Sequence, residues 1–413
     1  MQSDTRARSA GSGGSSSKLP TPGEQLEARV SQLWFWEGFY SRHGVNLQRH
    51  YREALTVTDL DLFALDFNPQ LSTTKYIGEV KSGTGKSAAK PLDRIIWLRG
   101  IKELVGADSA ELTIAGGVTD RIRSLGQSLG ITAQNVADFE RREADAVGSL
   151  ANLGPNGVDA LVLEKEVKAT CRRQPDLERA FWFLRGEVFF LDPFLAIKQL
   201  IELLGRVSQL WTPRLQDSEA MAVRWLAAEA TSLLTLNLVT AAGMSVTLNR
   251  TDWDNLVAER SAEGSIPMHQ MRKLSDSVDK FVAGVLTAAK VAPEIRTEAI
   301  GAFLPEPPDY AGPLAEMCWR LKSDAPVARA LPRQMDLLLF ERLVRQRELS
   351  PQVTARMGLA RPGAVRFRRL VAAFLRGCNA SFEELETALK EPITPEGQDN
   401  PLQQAKDSPP PAS

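Results

Sequence analysis

The stretch TDLDLFALDF (58–67) followed by TTKYIGEVK (73–81) decides how this chain is read. Both segments are dense in apolar, β-branched and aromatic residues, so both are expected to be strands. Asn68-Pro69 separates them, and proline cannot donate to a central ladder. With NPQLS (68–72) as a five-residue hairpin loop, Phe67 faces Thr73, and counting outward Asp61 faces Glu79. Residues two apart share a face of a strand, so Asp59 and Asp61 point one way, as do Glu79 and Lys81. Directly opposed residues have Cβ atoms roughly 5 Å apart, which brings two carboxylates and one ammonium together.

Two carboxylates that close repel, and one stays protonated unless a cation stands between them. A hard divalent cation such as Mg²⁺ resolves the conflict with oxygen ligands. Lys81 can then position a water or stabilise charge building on a phosphate, while the metal polarises the phosphoryl oxygen. The chemistry this predicts is phosphodiester hydrolysis.

Working outward, TPGE (21–24) predicts a helix start, with Thr21 as N-cap and Pro22 at the first helical position. Leu26, Val30, Leu33 and Trp34 then lie on one face, and Gly38 or Gly44 ends the helix. PLDRIIWLRGIKELVG (91–106) predicts a helix, ELTIAGGV (111–118) a strand and DRIRSLGQSLG (120–130) a short helix. Together they make a small α/β module. From about residue 150 the periodicity becomes mostly helical, as in SEAMAVRWLAAEATSLLTLNLV (218–239), although AFWFLRGEVFF (180–190) reads equally as strand. The organisation expected is a disordered Ser/Gly-rich leader over 1–20, the α/β module over 21–145, a mostly helical domain over 146–390 and a Pro-rich tail over 391–413.

The pattern D-(hairpin)-E-x-K after an N-terminal helix resembles the PD-(D/E)XK nuclease superfamily, with its restriction-endonuclease-like fold. TDLDLFALDF…YIGEVKSG looks like the strand pair of the Mrr-like and resolvase-like members. The resemblance covers residues 20 to about 145, and it implies an N-terminal α/β domain with a mixed central sheet flanked by helices. Carried over by position, it implies Asp61 and Glu79 as metal ligands helped by the Val80 carbonyl, and Lys81 as the catalytic lysine. Glu27, in GEQLEARV (23–30), would be the first-helix glutamate that orients water or a second metal. It further implies Mg²⁺ as cofactor, with Mn²⁺ as a substitute, and DNA as substrate, in phage defence or repair. The literal proline is absent, since Thr58 precedes the first acidic stretch. The alternative is an inactive nuclease-fold scaffold serving as a protein-interaction or DNA-binding module.

Other signals are weaker. Glu166-Val-Lys168 repeats the tripeptide, but Asp159 lies only seven residues upstream and the segment reads as a solvated helix. SGTGKS (82–87) lacks the first glycine of a phosphate-binding loop, so Lys86 and Lys90 are expected in a basic loop beside the site, touching the DNA backbone. Arg42, His43, Arg49, His50 and Arg52 make a basic approach to the first strand, with phosphate contact (Arg49 and Arg52 foremost) and a solvated loop as equal alternatives. Trp34 is expected in the core. Arg361, Arg366, Arg368, Arg369 and Arg376 are expected on a polar helix face.

Composition sets limits. Among 413 residues, 50 Lys and Arg balance 51 Asp and Glu, which argues against tight non-specific binding to nucleic acid. Three separated cysteines and three histidines form no C-x-x-C or H-E-x-x-H, which disfavours disulfide and zinc chemistry and suits a reducing cytoplasm. No membrane contact is expected. A homodimer or a partner protein would engage the helical region.

Overall fold

In the computed structural model the described residues are 19–51, 53–83, 89–212, 214–264, 266–289 and 305–391, with the side chains of 48–56 outside them. The predicted leader (1–20) and tail (391–413) therefore lie almost wholly outside the described residues, which leave out 1–18 and 392–413.

Helix α1 (Pro22–Glu37) opens with a reciprocal cap: Thr21 Oγ1 accepts from Glu24 N (3.3 Å), and the Glu24 carboxylate accepts from Thr21 N (2.7 Å). Gly38 ends it with φ 129°. Strands β1 (Tyr40–Tyr51), β2 (Glu53–Phe67) and β3 (Thr73–Lys81) follow, then α2 (Pro91–Val105), β4 (Ser109–Ile114), α3 (Asp120–Ser128), β5 (Ile131–Asn135) and α4 (Val136–Ala146). The five strands form one sheet in sequence order. β1–β2 and β2–β3 are antiparallel, and β3–β4 and β4–β5 are parallel. The chain thus has an N-terminal mixed sheet flanked by helices.

The hairpin register is Phe67↔Thr73 through Leu62↔Gly78, as the loop length predicts. Asn68 Oδ1 holds the loop by accepting from Gln70 N and Ser72 N, both at 2.9 Å. Leu71 turns through φ 62° to bury its side chain in the core. On the other side of the hairpin, α1 lies so close that a Cβ on Gly78 would meet Leu62 Cδ1 at 2.7 Å and Trp34 Cη2 at 2.9 Å. Only glycine permits that approach.

Three expectations change. Residues 40–51 are a strand, not a basic loop. Arg42 is a core residue, 1% exposed, so it is closed to phosphate. β5 went unread because five residues, one of them a buried glutamine, carry little periodicity. AFWFLRGEVFF divides between a helix and a short 3₁₀ turn (Glu187–Phe190).

After β5 and α4 the chain is helical: α5 (Val158–Cys171), α6 (Pro175–Leu184), α7 (Pro193–Leu210), α8 (Asp217–Met244), α9 (Arg250–Ala262) and α10 (Met268–Ala288), then α11 (Ala311–Ser323), α12 (Ala325–Ala328), α13 (Leu331–Leu339), α14 (Pro351–Met357), α15 (Pro362–Gly377) and α16 (Glu383–Lys390). A π turn (Phe340–Val344) extends α13. α8 is the one helix among the described residues long and apolar enough to cross a membrane, and 89% of its most apolar window is buried inside the fold. The apolar core runs continuously from the sheet into these helices, for example where Phe63 of β2 meets Phe189 and Phe190 at 5.1 and 5.8 Å between ring centroids.

Charge pairs cross the same junction. Arg42 Nε and Nη2 donate to Glu229 of α8 at 2.8 and 3.0 Å, and its Nη1 and Nη2 donate to Asp336 of α13. Nearby, Glu164 of α5 lies 3.2 Å from Arg185 Nε and 3.4 Å from His43 Nε2. Burial works to raise the Glu164 pKa, but Arg185 and His43 outweigh it and hold the carboxyl down at about 2.

Two outcomes are expected from these contacts. Arg42→Ala leaves Glu229 and Asp336 buried without their cation and should cost about 3–5 kcal/mol of stability, read from the urea midpoint. Because the folded pKa of Glu164 lies below its unfolded value, its contribution is present above about pH 4.5 and fades as pH falls toward 2. Glu164→Gln should therefore be less stable than wild type at pH 6, with the gap narrowing at pH 3.

Candidate active site

Alternation along the hairpin sorts its side chains. Leu62 and Gly78 face α1, so Asp61, Glu79 and Lys81 project from the other face, the one α2 covers. The ladder between β2 and β3 ends at Leu62↔Gly78. Beyond it the Asp61 side chain takes over a backbone bond, and Asp61 Oδ2 accepts from Val80 N at 2.8 Å. The site thus forms at the carboxyl end of β3, next to parallel β4, where open α/β sheets commonly hold ligands.

Lys81 Nζ stands 2.8 Å from Asp61 Oδ2, 2.7 Å from Glu79 Oε1 and 3.1 Å from the Val80 carbonyl oxygen. These are the same three oxygen donors that the family resemblance implies as metal ligands. One cation, the ammonium, already sits where they converge. Burial opposes the Lys81 charge, but Asp61 and Glu79 outweigh it and hold the ammonium above its usual range. Glu79, only 2% exposed, is pushed up by burial first and by Asp61 second, with Lys81 and Arg94 pulling the other way.

The start of α1 reaches this end of the sheet, since a Cβ on Gly23 would lie 3.5 Å from Ser82 Oγ. Glu27, one turn further on, is pushed up to about 8 by burial and then by the Asp61 charge, with Lys81 opposing. Three carboxyl groups therefore share one neighbourhood with a single lysine. Arg94, in the first turn of α2, adds a second cation at 3.5 Å from Glu79 Oε1.

Among the described residues no three carboxylate, imidazole or thiol side chains close on one point as a ready-made metal cage. The donors that do converge are two carboxylates and a carbonyl. That set suits Mg²⁺, which keeps several waters and takes one or two carboxylates from a protein. The Lys81 ammonium stands at the point where these donors meet, so they would hold a metal only with Lys81 displaced.

The structure therefore brings together Glu27, Asp61, Glu79, Val80 and Lys81. Asp59 is exposed, further along β2. Lys90 is exposed as the N-cap of α2, one turn before Arg94. Arg49 lies toward the far end of β1 with its side chain outside the described residues, and Arg52 and Lys86 lie outside them altogether. Arg94 escaped the sequence reading. Its signal was its place beside Ile95 and Leu98 on the buried stripe of α2, which directs its guanidinium at the strand the stripe covers. The second tripeptide, Glu166-Val-Lys168, is on α5. In the arginine cluster of α15, Arg368 is buried and donates to the Leu359 carbonyl at 3.2 Å, unlike the exposed Arg361, Arg369 and Arg376. No family model, curated protein or solved structure matches the chain.

Proposed function

We propose that this chain is a metal-dependent nuclease that hydrolyses DNA phosphodiester bonds, its N-terminal module being a restriction-endonuclease-like domain of the PD-(D/E)XK superfamily. The observation that carries the reading is the convergence of Asp61, Glu79 and the Val80 carbonyl on one cationic point, with Lys81 and Glu27 beside it. The order helix, antiparallel hairpin, helix and parallel strand supports the family assignment.

Asp61, Glu79 and the Val80 carbonyl would hold Mg²⁺ or Mn²⁺. The bound metal supplies Lewis-acid polarisation of a phosphoryl oxygen. Lys81, moved off its three oxygens, keeps its charge and stabilises the negative charge that develops on the phosphoryl group. Glu27 orients the attacking water from the α1 side. Arg94 steadies Glu79, and with Lys90 it offers positive charge to the DNA backbone on the α2 side. The even balance of charges over the whole chain suits a cytoplasmic nuclease delivered or activated by a partner in phage defence or repair.

One observation favours the scaffold reading instead. Lys81 pairs with both carboxylates and Arg94 approaches Glu79, so the two acids already have cationic partners without a metal. Two measurements separate the readings. For a nuclease, plasmid cleavage in Mg²⁺ or Mn²⁺ should fall about 10²–10³-fold in Lys81→Ala. Mn²⁺ should also raise the melting temperature of wild type and leave that of Asp61→Asn unchanged. Absence of both effects identifies the scaffold. Equal cleavage by wild type and Lys81→Ala defeats the assignment of this site.

A further inference from the structure

Residues 349–382 hold six arginines and no lysine, aspartate or glutamate. The whole chain carries a net charge of -1, so the rest of it is acidic on balance. A chain so balanced holds a polyanion through a local basic surface.

α15 turns these charges outward. Pro362, Arg366, Arg369, Ala373 and Arg376 are exposed and recur at intervals of four and three, so they form one stripe. Phe367, Val371, Phe374 and Leu375 fill the opposite, buried side. The side chains of Arg366 and Arg376 are 60% and 61% exposed. Each has a carboxylate neighbour. Asp324 lies 3.3 Å from Arg366 Nη2, and Glu386, shared with Lys390, pairs with Arg376. Surface pairs of this kind hold their partners weakly, so a phosphate can compete for the guanidinium. Arg361 and Arg369 are also exposed, and neither has an ion pair among the described residues. No side chain caps the start of α15 and its first turn holds no acid, so the positive end of the helix dipole adds to Arg361.

The ground beneath the stripe is positive as well. Arg368 is 2% exposed, and its Nε and Nη1 have no partner among the described residues. Burial first, then the charges of Arg342 and Arg369, push its pKa down to about 10. A cation buried without an anion keeps its field poorly screened, and Arg369 carries that field to the surface.

Charge and shape choose the partner. From Arg366 to Arg376 the stripe runs about 15 Å along the helix. A DNA duplex carries one charge per roughly 1.7 Å of its axis, so several phosphates can face it. Arginine forks also match phosphate oxygens in pairs. An anionic bilayer requires an apolar helix face turned outward, and that of α15 is turned inward.

We propose that the exposed arginine stripe of α15 is a phosphate-backbone contact through which the helical half holds duplex DNA without reading its sequence. The choice of DNA rests on the nuclease reading. The measurement does not, because binding is read in EDTA, where metal-dependent cleavage is silent. Fluorescence anisotropy of a labelled duplex would compare the full wild-type chain with Arg366→Gln/Arg369→Gln and Arg366→Lys/Arg369→Lys. Unchanged melting curves would verify that the fold is kept. The glutamine variant should bind at least about tenfold more weakly at about 100 mM salt, and its log–log salt slope should shrink by about 1.8, roughly 0.9 for each lost phosphate. The lysine variant keeps both charges and should keep the slope. No duplex binding by wild type at about 50 mM salt overturns the proposal. Equal slopes in wild type and the glutamine variant overturn it too, by placing the phosphate contact elsewhere. So does binding to phosphatidylserine vesicles without binding to duplex, which would make this a lipid surface. The expected slopes in a chain that never cleaves would uphold the stripe while sinking the nuclease reading.

Discussion

A buried guanidinium ties the two halves of this molecule together. Arg42 stands on an edge strand, 1% exposed, and forks into Glu229 of α8 and Asp336 of α13, residues 187 and 294 positions away. Removing three ionised groups from water is costly, and the attraction among them recovers that cost only if every lone pair and proton finds a partner. Here the backbone carbonyl of Ser41 accepts from Arg42 Nη1, and Ser232 Oγ donates to Asp336. Burial raises the Asp336 pKa, and Arg42 is the chief force opposing it. A cluster that demanding tolerates one arrangement of β1, α8 and α13. It locates the sheet against the helical half, and the placement of the hairpin follows.

The candidate site depends on that placement through burial. Asp61, Glu79 and Lys81 are brought together by the hairpin alone, but their electrostatics are not. Glu79 is pushed up because α2 and the sheet exclude water from it, and Glu27 joins the group because α1 is pressed onto Gly78 and carries its first turns past the end of β3. The outcome is a pocket with more carboxyl groups than cations, in which one ammonium holds three oxygens. Under the proposed reading a divalent ion would displace that ammonium, and under the scaffold reading the ammonium stays as a structural latch.

The helical half has its own economy of apolar surface. α8, buried nearly all round, is the post about which α5, α7, α11 and α13 pack. α10 is the contrast. Its Leu274, Phe281 and Val285 project to the surface.

The hairpin, its register and its acidic and basic residues were legible in the amino-acid order because they depend on local rules. Strand alternation has a period of two, and Asn68-Pro69 allows one loop length between the apolar runs. The start of α1 was legible for the same reason, since a capping box is complete within four residues. Strand β1 was not. Beside Tyr40, Val45 and Leu47 it buries an arginine and a histidine, and a polar residue reads as solvent-facing until its partners are known. Those partners, Glu229, Asp336 and Glu164, lie more than a hundred residues downstream and reach Arg42 and His43 only through the fold. Arg94 and the exact company kept by Glu27 were hidden likewise, because the packing of α1 and α2 on opposite faces of the sheet determines what each can reach. Local periodicity thus determined which residues could do chemistry, and long-range pairing of buried charge decided which of the basic residues belong to the core and which to the site.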